Sequence, residues 1–82
     1  MTHAGIVELD LHGMNVYQSQ IAIDAKLRQA KAGTYRIRVI HGYHGGTQLQ
    51  QMIRRQYAKH PKVLRIELGL NPGQTDLVLR EF

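Results

Sequence analysis

The chain contains no cysteine and no tryptophan, and it has only one phenylalanine, two prolines and six acidic residues among its 82 residues. The absence of cysteine excludes disulfides and thiolate metal sites and is compatible with a cytoplasmic location, which we expect. Because there are few aromatic rings, a surface that stacks several bases is not expected. No apolar run approaches the roughly 20 residues of a membrane-spanning helix, so we expect a soluble protein without membrane contact.

Size and charge limit the architecture and the partners. A chain of this length forms one small domain with room for a single sheet and one or two helices. We assign residues 1–6 to a mobile lead-in and residues 7–82 to the folded domain, which we expect to be a monomer. Eleven Lys and Arg residues against the six acids give a net charge of +5. This excess indicates either an ordinary solvated surface or an electrostatic footprint for phosphate.

Hydrophobic periodicity predicts six elements in the order β-α-β-α-β-β, an α/β (α+β sandwich) fold with one four-stranded mixed sheet packed against two helices. Apolar residues that alternate with polar ones indicate the strands, and a helical stripe of apolar residues indicates each helix. The predicted strands are Val7–Leu11, Tyr35–Ile40, Lys62–Leu68 and Thr75–Phe82. The predicted helices are Val16–Ala32 and a second one that opens at Thr47 and ends at His60 and Pro61.

Four local signals support these boundaries. Asn15 is a predicted N-cap, and Thr47–Gln50 has the pattern of a capping box. Gly33 stands where a left-handed residue commonly ends a helix. The Pro-Gly pair within Asn71–Gln74 favours a type II turn between the last two strands.

Two His-Gly pairs, His12-Gly13 and His41-Gly42, each follow an apolar strand and precede a helix. If the two strands are parallel, their carboxyl ends meet at one edge of the sheet, which is where open α/β folds bind ligands. The sequence therefore predicts a site at that edge, suited to an anionic substrate.

Asp10 and His12 are the first candidates for chemistry. If the strand continues through His12, both side chains lie on one face with their Cα atoms about 6–7 Å apart. Histidine suits proton transfer near neutral pH, and the carboxylate could act as a base, orient an imidazole or hold a metal. In the alternative interpretation, Asp10 caps the following turn and His12 is an ordinary polar residue at a strand end.

The second candidate is the loop that begins at His41. Its glycines let backbone amides approach an anion next to a helix N-terminus, although a loop that only turns the chain is an equally good interpretation. A metal set of Asp10, His12, His41 and His44 is a further alternative, so no cofactor is firmly implied and a divalent metal stays open. Arg54 on the second helix is a candidate phosphate contact. The predicted binding residues are Gly13, Gly42, Tyr43, His44, Gly45, Gly46, Thr47 and Arg54.

Three segments together resemble the small MutS-related (Smr) domain family, as a stand-alone single-domain member. They are Leu9–Gly13 (Leu-Asp-Leu-His-Gly), Val39–Gly42 (Val-Ile-His-Gly) with glycines close behind, and Gly73–Thr75 (Gly-Gln-Thr). The resemblance spans roughly residues 7–80 and implies a fold similar to the C-terminal domain of the third bacterial translation initiation factor.

The same resemblance implies function. Family members include nicking DNA endonucleases and endoribonucleases, some of them in DNA repair or on translated mRNA within larger complexes. The family's first motif corresponds to Asp10 and His12 as catalytic residues, and its loop corresponds to His41, Gly42 and Gly46 in nucleic-acid binding. We add His41 to the catalytic set. The usual loop reads His-Gly-Lys-Gly-x-Gly, whereas here Tyr43 and His44 replace the lysine and Gly45 and Gly46 are adjacent.

Two functional hypotheses follow. In the first, the chain is an endonuclease with Asp/His acid–base chemistry, and RNA is the favoured substrate because its 2′-hydroxyl supplies a nucleophile without metal-activated water. In the second, the chain is a non-catalytic module that binds DNA or RNA or docks on a protein complex.

Overall fold

The computed structural model describes residues 5–42, 48–68 and 71–81, and it has the predicted order of elements. The elements are β1 (Ile6–Asp10), α1 (Val16–Gln29), β2 (Arg36–Ile40), α2 (Gln48–Gln56), β3 (Arg65–Glu67) and β4 (Gln74–Val78). The four strands form one sheet in the order β1-β2-β4-β3. β1 and β2 are parallel, while β4 is antiparallel to both β2 and β3. The predicted mixed sheet with two helices is confirmed.

The alternation of apolar and polar residues decides which face of the sheet the helices cover. Ile37 and Val39 of β2 are buried, and Leu77 of β4 lies opposite Ile37. These side chains share one core cluster with Ile23 and Ile53, which come from α1 and α2 respectively. Both helices therefore pack on this face, and the opposite face of the sheet is free of them.

Helix α1 begins where the sequence predicts. The side chain of Asn15 accepts a hydrogen bond from the Gln18 amide at 2.8 Å, and the Gln18 side chain accepts one from the Asn15 amide at 3.0 Å. This reciprocal capping box satisfies two amides that the first turn leaves without helical partners. Ile23 and Leu27 are completely buried one turn apart, and each contributes about 1.5–3 kcal/mol by leaving water.

The end of α1 differs from the prediction of a helix through Ala32. The helix stops at Gln29, and Ala30 adopts an extended conformation. A turn follows, closed by a hydrogen bond from the Thr34 amide to the Lys31 carbonyl at 2.9 Å. Gly33 lies in this turn without a positive φ, so the predicted left-handed helix cap at Gly33 is wrong.

The turn before β4 also differs from its prediction. The amide of Gln74 donates to the Asn71 carbonyl at 3.2 Å, and the Asn71 side chain accepts from the Gly73 amide at 2.8 Å. Gly73 has no positive φ, which a type II turn would require at this position. The asparagine side chain, rather than a left-handed glycine, stabilises this turn.

The strand boundaries differ less. β1 begins at Ile6, inside the segment 1–6 that the sequence assigned to a lead-in, and the Gly5 carbonyl already accepts the amides of Tyr35 and Arg36. β3 has three residues, fewer than the predicted Lys62–Leu68, and β4 stops at Val78.

Helix α2 is fastened to α1 as well as to the sheet. Its predicted apolar face is confirmed by Met52 and Ile53, which are buried. The helix ends at Gln56, earlier than the predicted end at His60 and Pro61, and Tyr57, which is also buried, follows it directly. The Tyr57 hydroxyl donates to a carboxylate oxygen of Asp24 at 2.8 Å and lies 3.3 Å from the carbonyl of Gln20, so it links the two helices. The predicted capping box of α2 starts at Thr47, which lies outside the described residues.

The helix-free face carries a chain of ion pairs across β2, β4 and β3. Asp76, which is buried, binds Arg36 at 2.7 Å and Arg38 at 3.2 Å. Arg36 also binds Glu67 at 2.9 Å, and Arg65 links Glu67 to Glu81 at 2.8 and 2.6 Å. The pKa of the Glu67 carboxyl is lowered by Arg65 and by Arg36, which both stabilise its charged form.

Neither helix in the described part of the chain is long and apolar enough to cross a membrane.

Candidate functional site

The sheet brings the two His-Gly segments to one edge, as the sequence predicts. β1 and β2 run parallel, with Asp10 opposite Ile40, so the strands end side by side. The amide of Leu11 donates to the Ile40 carbonyl at 2.9 Å and continues the pairing one step beyond the strands. β4 begins at the same edge, with Gln74 opposite Ile40. Three chain segments therefore meet where the site was expected.

Asp10 and His12 do not share a strand face. β1 ends at Asp10, and the chain turns through His12 and Gly13. One carboxylate oxygen of Asp10 accepts the His12 amide at 2.9 Å, which is the turn-capping role considered as the alternative. Both side chains are exposed, and the second carboxylate oxygen of Asp10 has no hydrogen-bond partner in the described segments. The capped turn thus presents one free carboxylate oxygen and one imidazole to solvent.

Glycine has a conformational role in both chain segments that leave the sheet at this edge. Gly13 has φ +78° and Gly42 has φ +73°, the left-handed region in which a side chain is strained. A Cβ atom at either position would meet no neighbour within 4 Å, so the requirement is conformational. These two glycines let the chain leave the sheet at the site.

His41 is held in place through both ring nitrogens. Nδ1 lies 2.7 Å from the Gly42 carbonyl, and Nε2 lies 2.9 Å from the hydroxyl of Thr75, which is completely buried. A carbonyl oxygen only accepts, so Nδ1 carries the hydrogen, and in the neutral ring Nε2 accepts the hydrogen of Thr75. His41 is therefore fixed between its own loop and β4.

The backbone at His41 is also occupied. The amides of His41 and Gly42 both donate to the Gly73 carbonyl at 2.9 Å. Two of the amides that the sequence assigned to anion binding are thus used inside the protein. The remaining candidates of this loop, Tyr43, His44, Gly45, Gly46 and Thr47, lie outside the described residues.

Asp10 and His41 approach the edge from different faces of the sheet. Asp10 continues the polar positions of Glu8 and Arg38 on the helix-free face. His41 instead contacts Thr75, which lies opposite the buried Val39 on the helix-covered face. No hydrogen bond joins the side chains of Asp10, His12 and His41 within 5–42. Among the described residues, no three His, Asp or Glu side chains are placed to hold a metal ion. The alternative metal set also needs His44, which is not described.

Arg54 lies half-buried on α2, and its Nε atom is buried without a hydrogen-bond partner in the described part of the chain. The remaining guanidinium nitrogens are the groups available for a phosphate.

Sequence reasoning missed Thr75 and Asn71 as members of the site. Thr75 orients His41, and Asn71 shapes the turn whose Gly73 carbonyl holds the loop. A signal was present, because Gly73–Thr75 is one of the three segments on which the family resemblance rests. It did not reveal the contact between Thr75 and His41, which are 34 positions apart in the sequence.

The charge of the protein is unevenly distributed. The ion-pair chain on the helix-free face contains three arginines and three acids and is neutral. Without these, the eleven cations and six acids of the chain become eight and three, so the whole excess of +5 lies elsewhere. The eight cations are on the helices and in the segments after α1, α2 and β4: Lys26, Arg28, Lys31, Arg54, Arg55, Lys59, Lys62 and Arg80.

The protein is a small α+β domain with the element order β-α-β-α-β-β, in which a His-Gly pair follows each of the two parallel strands. A family model described as Smr domain matches residues 9–74, and the chain belongs to this family. The fold is also similar to the crystal structure of the Smr domain of Thermus thermophilus MutS2, with a TM-score of 0.80 and 29% sequence identity. That alignment covers 92% of this chain and 99% of the other. The comparison with curated proteins gave no match.

Proposed function

We propose that this Smr domain is a nucleic-acid-binding endonuclease that cleaves RNA at the edge formed by the ends of β1 and β2. The observation that carries the proposal is the junction of these ends, where the Asp10–Gly13 turn is hydrogen-bonded to β2 immediately before His41. The Smr family is associated with nucleic-acid binding and nuclease activity, and the excess positive charge supports binding to a phosphate backbone.

The chemistry assigned to Asp10 and His12 is a transesterification. The free carboxylate oxygen of Asp10 accepts the proton of the ribose 2′-hydroxyl, whose oxygen attacks the adjacent phosphorus. The bond from phosphorus to the 5′-oxygen breaks, and His12 donates a proton to that leaving oxygen. The products are a 2′,3′-cyclic phosphate and a 5′-hydroxyl. Both residues are exposed on one turn, so a backbone can approach them.

His41 has a positioning role in this proposal. Both of its ring nitrogens are occupied, so it does not carry a proton to or from the substrate in this arrangement. Its contacts with Thr75 and Gly42 hold the beginning of the loop at the edge. A substitution there should weaken nucleic-acid binding, whereas one at His12 should remove cleavage and leave binding intact.

The proposal is tested by measuring the rate at which wild type, Asp10→Asn and His12→Ala cleave a labelled RNA, with and without a chelator. Asparagine keeps the oxygen that accepts the His12 amide, so Asp10→Asn preserves the turn and removes the base. Glu8→Gln is the matched control, because it neutralises an exposed carboxylate two residues earlier on the same strand. We expect a rate loss of about 10²-fold or more in the two site variants and none in the control.

A single 2′-deoxy nucleotide at the cleavage position should stop the reaction. Cleavage that persists at the deoxy nucleotide would exclude the 2′-hydroxyl as nucleophile. Equal residual activity in all variants would assign the activity to a contaminant.

The capped turn favours a second candidate function, a nucleic-acid-binding domain without catalysis. One oxygen of Asp10 already serves the turn, and His41 is occupied on both sides. This alternative predicts binding that weakens steeply with salt and no cleavage of RNA or DNA under any metal condition.

A further inference from the structure

A second cationic site lies at the opposite end of the sheet from Asp10 and His41. A pocket of about 270 Å³ opens between the turn after α1, the turn after α2 and the segment that follows β4. Three of its lining residues, Lys31, Lys62 and Arg80, are cationic, and no acidic residue of the described chain lines it. Thr34 adds a hydroxyl.

The backbone fixes two of the cations in the pocket wall. Lys31 belongs to the turn closed by the bond from the Thr34 amide to its carbonyl. The amides of Leu79 and Arg80 approach the Tyr35 carbonyl at 2.7 and 3.4 Å, which positions Arg80 next to the start of β2. In the described segments, the side chains of Lys31 and Arg80 have no ion-pair or hydrogen-bond partner.

Lys62, the third cation that lines the pocket, also contacts the end of helix α1. Its ammonium donates to the Leu27 carbonyl at 3.0 Å, so it neutralises the partial negative charge at the end of α1. An anion would otherwise be repelled by those carbonyl groups. Lys62 thus makes the pocket acceptable to an anion and keeps two ammonium hydrogens for it.

We propose that the pocket formed by Lys31, Thr34, Lys62 and Arg80 is a binding site for a phosphate group of the nucleic-acid backbone. Three cations and a hydroxyl line it, only Lys62 spends a donor on another group, and no acidic side chain of the described chain lines it, which is the chemistry that binds a phosphate oxyanion. The choice of a backbone phosphate over a free one rests on the proposed function.

The distance between the pocket and the Asp10–His41 edge sets the minimum length of a nucleic acid that can bind both sites at once. Thr34 and His41 are separated by seven residues of largely extended chain, or roughly 23 Å at about 3.3 Å per residue. A nucleic-acid strand rises about 3.4 Å per nucleotide in B-form, so about seven nucleotides bridge the two sites. An oligonucleotide of three nucleotides reaches one site only.

The first experiment titrates the ¹⁵N-labelled protein with inorganic phosphate at low salt and follows the amides of Lys31, Thr34 and Arg80 by NMR. We expect saturable shifts there, and their loss in Lys31→Gln/Arg80→Gln. Lys62 is left unchanged because it also caps α1. The double variant Arg28→Gln/Arg65→Gln loses the same charge outside the pocket and should retain the shifts. Absence of saturable shifts, or shifts that survive in the pocket variant, overturns the site.

The second experiment compares single-stranded RNAs of 3 and 12 nucleotides in the Asp10→Asn background, where cleavage does not interfere. The pocket variant should bind the 12-mer about tenfold more weakly than the charge-matched control, with a salt slope smaller by about 0.7, the value for one phosphate contact on a single strand. The difference between the two variants should be smaller for the 3-mer, because it does not bind both sites at once. If phosphate binds in the pocket but the 12-mer does not distinguish the variants, the backbone assignment is wrong. If the pocket results hold and the wild type cleaves no RNA, the endonuclease proposal fails and the pocket remains.

Discussion

Individual residues of the candidate site were easier to predict than their partners. The two His-Gly pairs identified Asp10, His12 and His41, and the structure places all three at one edge. The hydrogen bond of Asp10 with the His12 amide is the turn cap that the alternative interpretation predicted. The contact of His41 with the Thr75 hydroxyl on β4 was not indicated, because it depends on how the strands pair in space and one sequence does not specify that pairing.

The backbone conformation of the glycines could also be predicted only in part. Gly13 and Gly42 do adopt positive φ angles, as a turn next to a helix or loop commonly requires. Gly33 and Gly73 do not, although standard turn signals predicted it for both. At Gly73 the Asn71 side chain accepts the Gly73 amide and stabilises the turn, so the less common backbone conformation is unnecessary.

Thr75 provides a test of how His41 is positioned. Thr75→Val keeps the shape of the side chain and removes the hydroxyl that contacts Nε2. We expect the free energy of unfolding to fall by about 1 kcal/mol, the usual net value of one hydrogen bond. RNA affinity should fall several-fold because the loop at His41 loses its attachment. Denaturant unfolding and fluorescence anisotropy measure the two effects.

Thr75→Ser is the matched control, because it restores a hydroxyl at the same position and should restore RNA affinity. A valine variant with normal affinity and reduced stability would show that the Thr75–His41 contact serves the fold alone.

At the scale of elements, the prediction succeeds where local signals and tertiary contacts agree. Asn15 starts α1 as expected because its capping box involves only neighbouring residues. The short β3 could not be delimited from its sequence, because the apolar residues that flank Arg65–Glu67, namely Leu64 and Leu68, are exposed although they continue the apolar pattern of a strand. The end of α1 was also missed, because it follows from the turn that leads to β2.

The contact between the two helices predicts a response to alkaline pH. Burial raises the pKa of the Tyr57 hydroxyl above its ordinary value of 10.0, and the hydrogen bond to Asp24 raises it further. The folded state thus keeps this proton at a pH where the unfolded chain loses it. The stability that Tyr57 contributes is fully present below pH 10 and is lost as the pH rises through its folded-state pKa.

Tyr57→Phe should therefore lose stability at neutral pH, by about 1 kcal/mol for the missing hydrogen bond, and decline less steeply than wild type above pH 10. Urea unfolding between pH 7 and 11.5 measures both. Tyr17→Phe is the control because Tyr17 is 70% exposed, and its curve should parallel that of wild type. A Tyr57→Phe curve parallel to wild type above pH 10 would contradict a buried, hydrogen-bonded hydroxyl.

At the scale of the whole molecule, the distribution of charge matters more than the net value. Composition gave the excess of +5 but not its location. The fold places three arginines against three acids on the helix-free face, where their fields cancel, and leaves the excess on the helices and nearby turns. A polyanion should therefore be attracted to the helical side and to the ends of the sheet.

Two arginine variants test whether RNA binding depends on where a positive charge lies or only on the net charge of the protein. Arg55 is exposed on α2, while Arg65 is bound to Glu67 and Glu81 on the helix-free face. Arg55→Gln and Arg65→Gln remove the same charge. We expect Arg55→Gln to weaken binding of a 12-nucleotide RNA about threefold and to reduce the salt slope by about one, with no change in Arg65→Gln. Anisotropy titrations at salt concentrations between about 50 and 200 mM measure the RNA affinity and its salt slope. Equal losses in the two variants would mean that RNA responds only to net charge, and the helical side would then have no special part in binding.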